Sequence, residues 1–491
     1  MSQEWAYSTV GELSEALASG QVTSRGLVEY FKNRIDTLNP ALNAVVATDY
    51  DSALSRADEA DAARARGESW GPLHGIPMTI KDTFEVIGMP CTAGSRSLAK
   101  HMPKSNAFTV DLLVEAGAIP FGKTNVPLFA GDLQSYNKVY GTTNNPRNTE
   151  CTPGGSSGGA AAALAAGFTP IELGSDLAGS IRTPSHFCGT YGHKPTHGII
   201  ASRGHIPGPS GMLMEPDLAT PGPMARCAQD LDTLLDVLAV PGPHMGENWS
   251  LSLPAAPDKA LSDYKVLIWT EDPMSPIDDE LKSAYSDMAT HLKEQGVDVT
   301  LGAPTGFSLE SFVPTYMNLL GSVLSGTVKP SQRPIMAALS RLTKTFGKKL
   351  KLSAHIDKLL KGMTQAHADW QMNHEKRLQI AKKADKLFDQ YDVILTPVVH
   401  VPAFKHQSKP PMHKRKLPVN GVPGPYTDIF MWIAPATLMG LPATSAPVGE
   451  TKDGLPVNVQ VLGRKYHDKT TIRFAALLEK SYRGFTKPEG Y

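Results

Sequence analysis

Residues 154–182 read GGSSGGAAAALAAGFTPIELGSDLAGSIR, and the rest of the chain is read outward from them. A Gly/Ser turn opens the stretch. A helix of small residues is expected over 160–166, a short apolar strand over 170–174, and a second tight turn over 175–180. Glycine lets a backbone approach a ligand closely or take a positive φ. Two such turns around a thin helix predict two serine-bearing loops folded over one small volume. The same composition suits a flexible linker, but the alanines and the strand embed this one in a core. The Walker pattern of a phosphate loop is missing, as is the GxSxG elbow of an α/β-hydrolase.

Upstream, the apolar run 76–80 reads as a buried strand that delivers Lys81. Desolvation there lowers an amine's pKa, and a neutral amine is a base. A salt bridge to the adjacent Asp82 accounts for the same residue equally well. Ser180 follows Leu177, Ala178 and Gly179. Consecutive backbone N–H groups in such a turn are able to face one oxyanion.

The 154–182 stretch resembles the amidase signature family and matches nearly all of that family's long GGSSGG…GSIR pattern. The resemblance continues in GPLHGIPMTIKD (71–82), GKTNVPLFAG (122–131), FCGTYGHKPTHG (187–198), GLPATSAPVG (440–449) and DGLPVNVQVLG (453–463). It covers most of the chain except about 245–385. It implies one large α/β amidase-signature domain over 1–491, with a mixed central β-sheet between helical layers. Within it, 1–65 would be a helical cover and 66–244 the catalytic core. Residues 245–385 would be a variable helical insert at the substrate site, and 386–491 a return to the core.

By the same resemblance Ser180 is the nucleophile, Ser156 a bridging serine after a cis peptide bond, and Lys81 the base. The N–H groups of Leu177, Ala178, Gly179 and Ser180 form the oxyanion hole. Ser157, Ser175 and Asp176 support the site, and Arg182 anchors it. The reaction implied is hydrolysis of a carbon–nitrogen amide or carbamate bond through an acyl-enzyme, with neither metal nor cofactor. The segment after GKTN faces the acyl group in the family, which makes Leu128, Phe129, Gly131, Asp132, Gln134 and Tyr136 substrate-binding candidates. Phe430, Trp432 and Ile433 are candidates for an aromatic wall, with ordinary core packing as the alternative. Two departures stand out: Ala178 replaces a common glycine, and Glu172 replaces a small residue. A buried Glu172 needs a partner, and Lys194 and His193 are the candidates.

The wording around GKTN is nearest to stand-alone bacterial amidases, including aryl-acylamidase-like and carbamate-cleaving members, so an apolar or aryl substrate is expected. Two alternatives remain at this point. One is the glutaminase subunit of a tRNA-dependent amidotransferase; the other is a silent binding scaffold, which the intact Lys81, Ser156 and Ser180 set disfavours. A homodimer is suggested by analogy with relatives alone.

Composition bounds these readings. The 491 residues carry 48 basic and 48 acidic side chains, so a global electrostatic role with nucleic acid is not expected. Four cysteines, without a CxxC pair, predict neither a disulfide scaffold nor a zinc knuckle. No secretory signal pattern opens the sequence, and no apolar run reaches the ~18 residues of a membrane span. A cytoplasmic protein is expected. Thr9 and Glu12 fit a capping box, Thr23 caps a second helix that Pro40 should end, and 53–66 reads as a third. Strands are expected over 118–121, 265–269 and 393–396, and helices over 108–116, 228–238, 279–295, 309–324 and 364–390; the apolar helix over 309–324 is a candidate pocket lid. Loops are expected over 183–227 and 406–416. The basic stretch 341–361 reads as a solvated helix face or an anionic contact surface.

Overall fold

The apolar run before Lys81 forms a fully buried strand, Pro77–Lys81, inside an eleven-stranded sheet. The computed structural model describes residues 4–206, 212–243, 245–246, 248–347, 349–350 and 352–491. Across the sheet the strands run Val45–Thr48, Ile119–Thr124, Pro77–Lys81, Ile171–Asp176, Thr220–Ala225, Tyr191–Lys194, Ala443–Glu450, Pro456–Leu462, Val393–Pro397, Lys265–Ile268 and Asp298–Leu301. Pro77–Lys81 is parallel to both neighbours. Lys265–Ile268 is also parallel to its two neighbours. The remaining pairs are antiparallel. The molecule is one α/β domain with a mixed sheet flanked by helices.

Register positions the chemistry. Thr79 and Ile80 lie opposite Glu172 and Leu173. Lys81, the last residue of one strand, is therefore level with Gly174, and Ser175 and Asp176 follow directly on the other. The crevice beyond the carboxyl ends of parallel strands is the usual ligand position in α/β sheets. Helix Gly158–Ala165 is buried along its whole length. Only side chains as small as glycine and alanine, with one leucine, let it lie within the core on all sides.

At the N-terminus Thr9 and Glu12 form the expected capping box, and Thr23 caps helix Ser24–Leu42. That helix does not stop at Pro40. The proline falls in its last turn, and Asn43, in the left-handed region at φ 53°, ends it instead. The short strand Val45–Thr48 was unexpected among the N-terminal helices; it pairs with Ile119–Thr124 at the sheet edge. The stretch expected as loop after 183 contains helix Arg182–Cys188 and strands Tyr191–Lys194 and Thr220–Ala225. Pro221, Gly222 and Pro223 hide the last of these, because residues that weaken ladders rarely mark an interior strand.

Residues 245–385 are not purely helical. Strands Lys265–Ile268 and Asp298–Leu301 complete one edge of the sheet. Helices Asp279–Glu294 and Leu309–Leu324 contribute Tyr285, Met288, Phe312 and Tyr316 to the same core as Trp269 and Trp432. The basic stretch 341–361 falls on helices Arg333–Phe346 and Ile356–Gly362 and the turn between; its Lys348 and Lys351 lie outside the described residues. No described helix is long and apolar enough to cross a membrane.

Candidate active site

Lys81 is fully buried. Its Nζ lies 2.7 Å from Ser156 Oγ, 2.8 Å from Ser157 Oγ and 2.9 Å from Ser175 Oγ. Burial lowers its pKa to about 7, opposed by the negative charges of Asp176 and Glu172. Asp82 does not pair with it. That carboxylate accepts from the hydroxyl and N–H of Thr92 and lies 3.9 Å from Lys123 Nζ. Of the two readings of Lys81, the salt bridge to Asp82 is therefore not made. The peptide Gly155–Ser156 is cis.

The turn between Asp176 and Arg182 is held by its own ends. Asp176 Oδ1 accepts the Gly179 N–H at 2.8 Å, and Oδ2 accepts the Ile181 N–H at 3.1 Å. Arg182 pairs with the same carboxylate at 2.9 Å, both side chains being fully buried. Burial works against the charge of Asp176, but the Arg182 guanidinium overrides it and holds the pKa at about 2. Arg182 reaches further, to Gln460 and Thr437, and so ties the turn to the C-terminal strands and helix. Gly179 sits at φ 93°, where an L-side chain is strained.

This bonding leaves particular donors available. The N–H groups of Leu177, Ala178 and Ser180 have no acceptor among the described residues, whereas that of Gly179 is already given to Asp176. Leu177 and Ala178 are half-buried and lean on the core that contains Trp432 and Tyr316. Ser180 is 7% exposed, and its hydroxyl makes no hydrogen bond among the described residues. Its carbonyl accepts the Ser157 N–H at 3.1 Å, which docks one serine turn on the other.

The segment after GKTN lies against this site. A Cβ at Gly155 would stand 2.9 Å from the carbonyl oxygen of Asp132 and the amide nitrogen of Gln134, so only glycine fits between them. The side chain of Asp132 is occupied by Arg415 at 2.5 Å, by Tyr426 at 2.8 Å and by Tyr136 at 3.0 Å. Gln134 is buried and accepts the Gln407 N–H. Asp132, Gln134 and Tyr136 thus brace the loop. Leu128 and Phe129 are exposed, on a short turn that Gly131 closes by donating to Leu128 O. Phe129 N–H donates to Ala93 O, and Ala93 N–H donates to Asp82 O next to Lys81.

Of the candidates for an aromatic wall, Trp432 takes the core-packing alternative. Trp432 is fully buried, donates to Ser275 O and packs at 5.3 Å from Trp269, so it belongs to the core. Phe430 is half-buried. Ile433 packs against the 177–180 turn; a Cβ on Gly179 would lie 2.7 Å from its Cδ1. Glu172 takes neither candidate partner. Thr79 donates to it at 2.8 Å, and burial raises its pKa to about 7. Lys194 instead bonds Pro195 O, and His193 bridges Thr444 and Asp468. Two residues near the site were missed. His205 bonds Ser175 Oγ at 2.8 Å, and Arg415 locks Asp132. Neither sits in a motif that announces it.

A buried lysine facing three serine hydroxyls, beside a serine turn with unused N–H groups, is a hydrolase arrangement. The amidase family model matches residues 26–472. The chain belongs to the amidase family. A glutamyl-tRNA(Gln) amidotransferase subunit from Synechococcus sp. (strain CC9605) is 30% identical, covering 98% of each chain. The fatty-acid amide hydrolase 2-B of Danio rerio is 31% identical, covering 97% of this chain and 90% of that one. A bacterial aryl acylamidase of known structure matches with a TM-score of 0.77 at 23% identity, covering 97% and 96% of the two chains, which bears on the fold alone. This amidase is a hydrolase acting on carbon–nitrogen amide bonds. These two curated relatives, among others, differ in the substrate their names give at nearly equal identity.

Proposed function

We propose that this amidase cleaves an apolar or aryl amide, or the related carbamate, through Lys81, Ser156 and Ser180. The observation that carries this is Lys81 itself. Buried and held at about 7, it is able to lose its proton near neutrality while 2.7 Å from Ser156 Oγ. Neutral Lys81 takes the Ser156 proton, Ser156 takes that of Ser180, and Ser180 Oγ attacks the carbonyl carbon. The N–H groups of the 177–180 turn receive the oxyanion, with Leu177, Ala178 and Ser180 the ones free to donate. The relay returns a proton to the leaving nitrogen, and water then cleaves the acyl-enzyme. Ser157 and Ser175 hold Lys81 in place; Asp176 and Arg182 hold the turn. The exposed apolar pair Leu128 and Phe129 supports an apolar acyl or aryl group. The test is p-nitroaniline release from p-nitroanilides of increasing acyl length. Release by the wild type and none by Ser180→Ala is expected; no release at any length would remove the aryl-amide preference.

The second reading is the glutaminase subunit of a tRNA-dependent amidotransferase, favoured by the 30% identity that extends over nearly the whole length of such a protein. Ammonia release from glutamine, stimulated by partner subunits, would establish it in place of the first.

A further inference from the structure

Outside the lysine–serine set, one more titratable side chain bonds into it among the described residues. His205 Nε2 lies 2.8 Å from Ser175 Oγ, and that oxygen lies 2.9 Å from Lys81 Nζ. The histidine is held by the chain that leaves the Lys81 strand. Glu85 N–H donates to Gly204 O at 3.0 Å, and Ile206 N–H donates to Thr83 O at 2.7 Å. The imidazole meets the Phe84 ring edge-on at 4.6 Å.

The hydrogens around Lys81 are constrained. A neutral amine has two N–H bonds and one lone pair, and three hydroxyls surround it. To deprotonate Ser156, the lone pair must face Ser156, and the two N–H bonds then fall to Ser157 Oγ at 2.8 Å and Ser175 Oγ at 2.9 Å, the Ser175 carbonyl at 3.3 Å being the longer alternative. Ser157 has a separate acceptor for its own proton, the carbonyl of Ser175 at 3.4 Å. Ser175 needs one too, and among the described residues the other partner of its Oγ is His205 Nε2.

We propose that His205 is a positioning residue: its Nε2 accepts the Ser175 hydroxyl proton, so Ser175 accepts from Lys81 and the lysine lone pair turns to Ser156. The ring is then neutral, with its proton on Nδ1. Desolvation, with the Lys81 and Lys123 charges, holds its pKa well below the usual histidine value, consistent with that form. Without the acceptor, the Ser175 proton is free to point at Lys81 and compete with Ser156 for the lone pair.

This inference rests on the Lys81–Ser156–Ser180 reading. Its test is the rate at which a fluorophosphonate labels Ser180, measured for wild type, His205→Phe, His205→Gln, Ser175→Ala and the Ser175→Ala/His205→Phe double variant, with thermal unfolding as the check on folding. His205→Phe should slow labelling by about tenfold or more, the lower range of a lost proton-transfer arrangement. Gln offers a carbonyl acceptor near the Nε2 position and should restore labelling to within about threefold of wild type. The double variant should be no slower than Ser175→Ala, because His205 acts through that hydroxyl. Losses that multiply in the double variant, or a His205→Phe rate within about twofold of wild type, would overturn the inference and leave the nucleophile assignment standing. A wild type that is never labelled would remove both.

Discussion

Lys81 Nζ and Ser156 Oγ are 2.7 Å apart although 75 positions separate them in the chain. The sheet brings them together. Pro77–Lys81 and Ile171–Asp176 are parallel neighbours, and the buried helix Gly158–Ala165 packs the first serine turn beneath their ends. The same burial that sets the distance strips water from the amine and lowers its pKa.

Replacing Ser180 with alanine removes the proposed nucleophile and leaves the turn's N–H groups intact. Amide hydrolysis should fall by a factor on the order of 10³ to 10⁶, with substrate affinity little changed. Single-turnover kinetics with a p-nitroanilide would measure the two separately. A loss confined to KM would contradict the role.

The rate should rise with pH through about 7, the value to which burial brings Lys81. Below it the ammonium form dominates and cannot take the Ser156 proton, so the rate falls about tenfold per pH unit. Above it the amine is free and the rate levels off. Glu172, raised to about 7 by burial, ionises over the same range and opposes deprotonation of Lys81, which broadens the rise. Asp176, held at about 2, stays charged throughout. A profile flat between about pH 5 and 10 would remove Lys81 as the base.

Arg182→Met should destabilise the fold by about 3–5 kcal/mol, since it leaves the Asp176 carboxylate buried without its partner. Adding Asp176→Asn should recover part of that loss by removing the stranded charge. Urea midpoints at neutral pH would report both, and equal midpoints for wild type and Arg182→Met would show that the pair does not hold the turn.

The sheet strands around the two serine turns were legible because they are short apolar runs that end in polar, chemistry-bearing residues. Thr220–Ala225 was not, because its prolines and glycine take ladder pairing only when neighbouring strands impose it. At the site, the two glycine-rich serine turns and a lysine after a buried strand were legible as local features, while joining them into one site rested on the family resemblance, since a lysine beside Asp82 reads equally well as a salt bridge. His205 was not, because it reaches Ser175 through tertiary pairing of 204–206 with 83–85 rather than through a local pattern. Trp432 reads as a candidate wall because an aromatic near the C-terminal core looks the same in sequence whether it faces a pocket or Trp269.

Gly179→Ala should lower kcat more than it raises KM. The added methyl meets Ile433 at 2.7 Å on a backbone at φ 93°, so the turn must shift and the neighbouring N–H groups lose their aim. A loss of about 10² to 10³ in kcat is the scale for one misdirected oxyanion donor. Wild-type kcat in this variant would mean the turn does not receive the oxyanion.

The most direct test of the central claim is to locate the covalent adduct of a fluorophosphonate by peptide mass spectrometry. The account predicts modification of Ser180, absent from Ser180→Ala and strongly slowed in Lys81→Met. Modification of a different serine, or labelling of Ser180 that does not depend on Lys81, would contradict it.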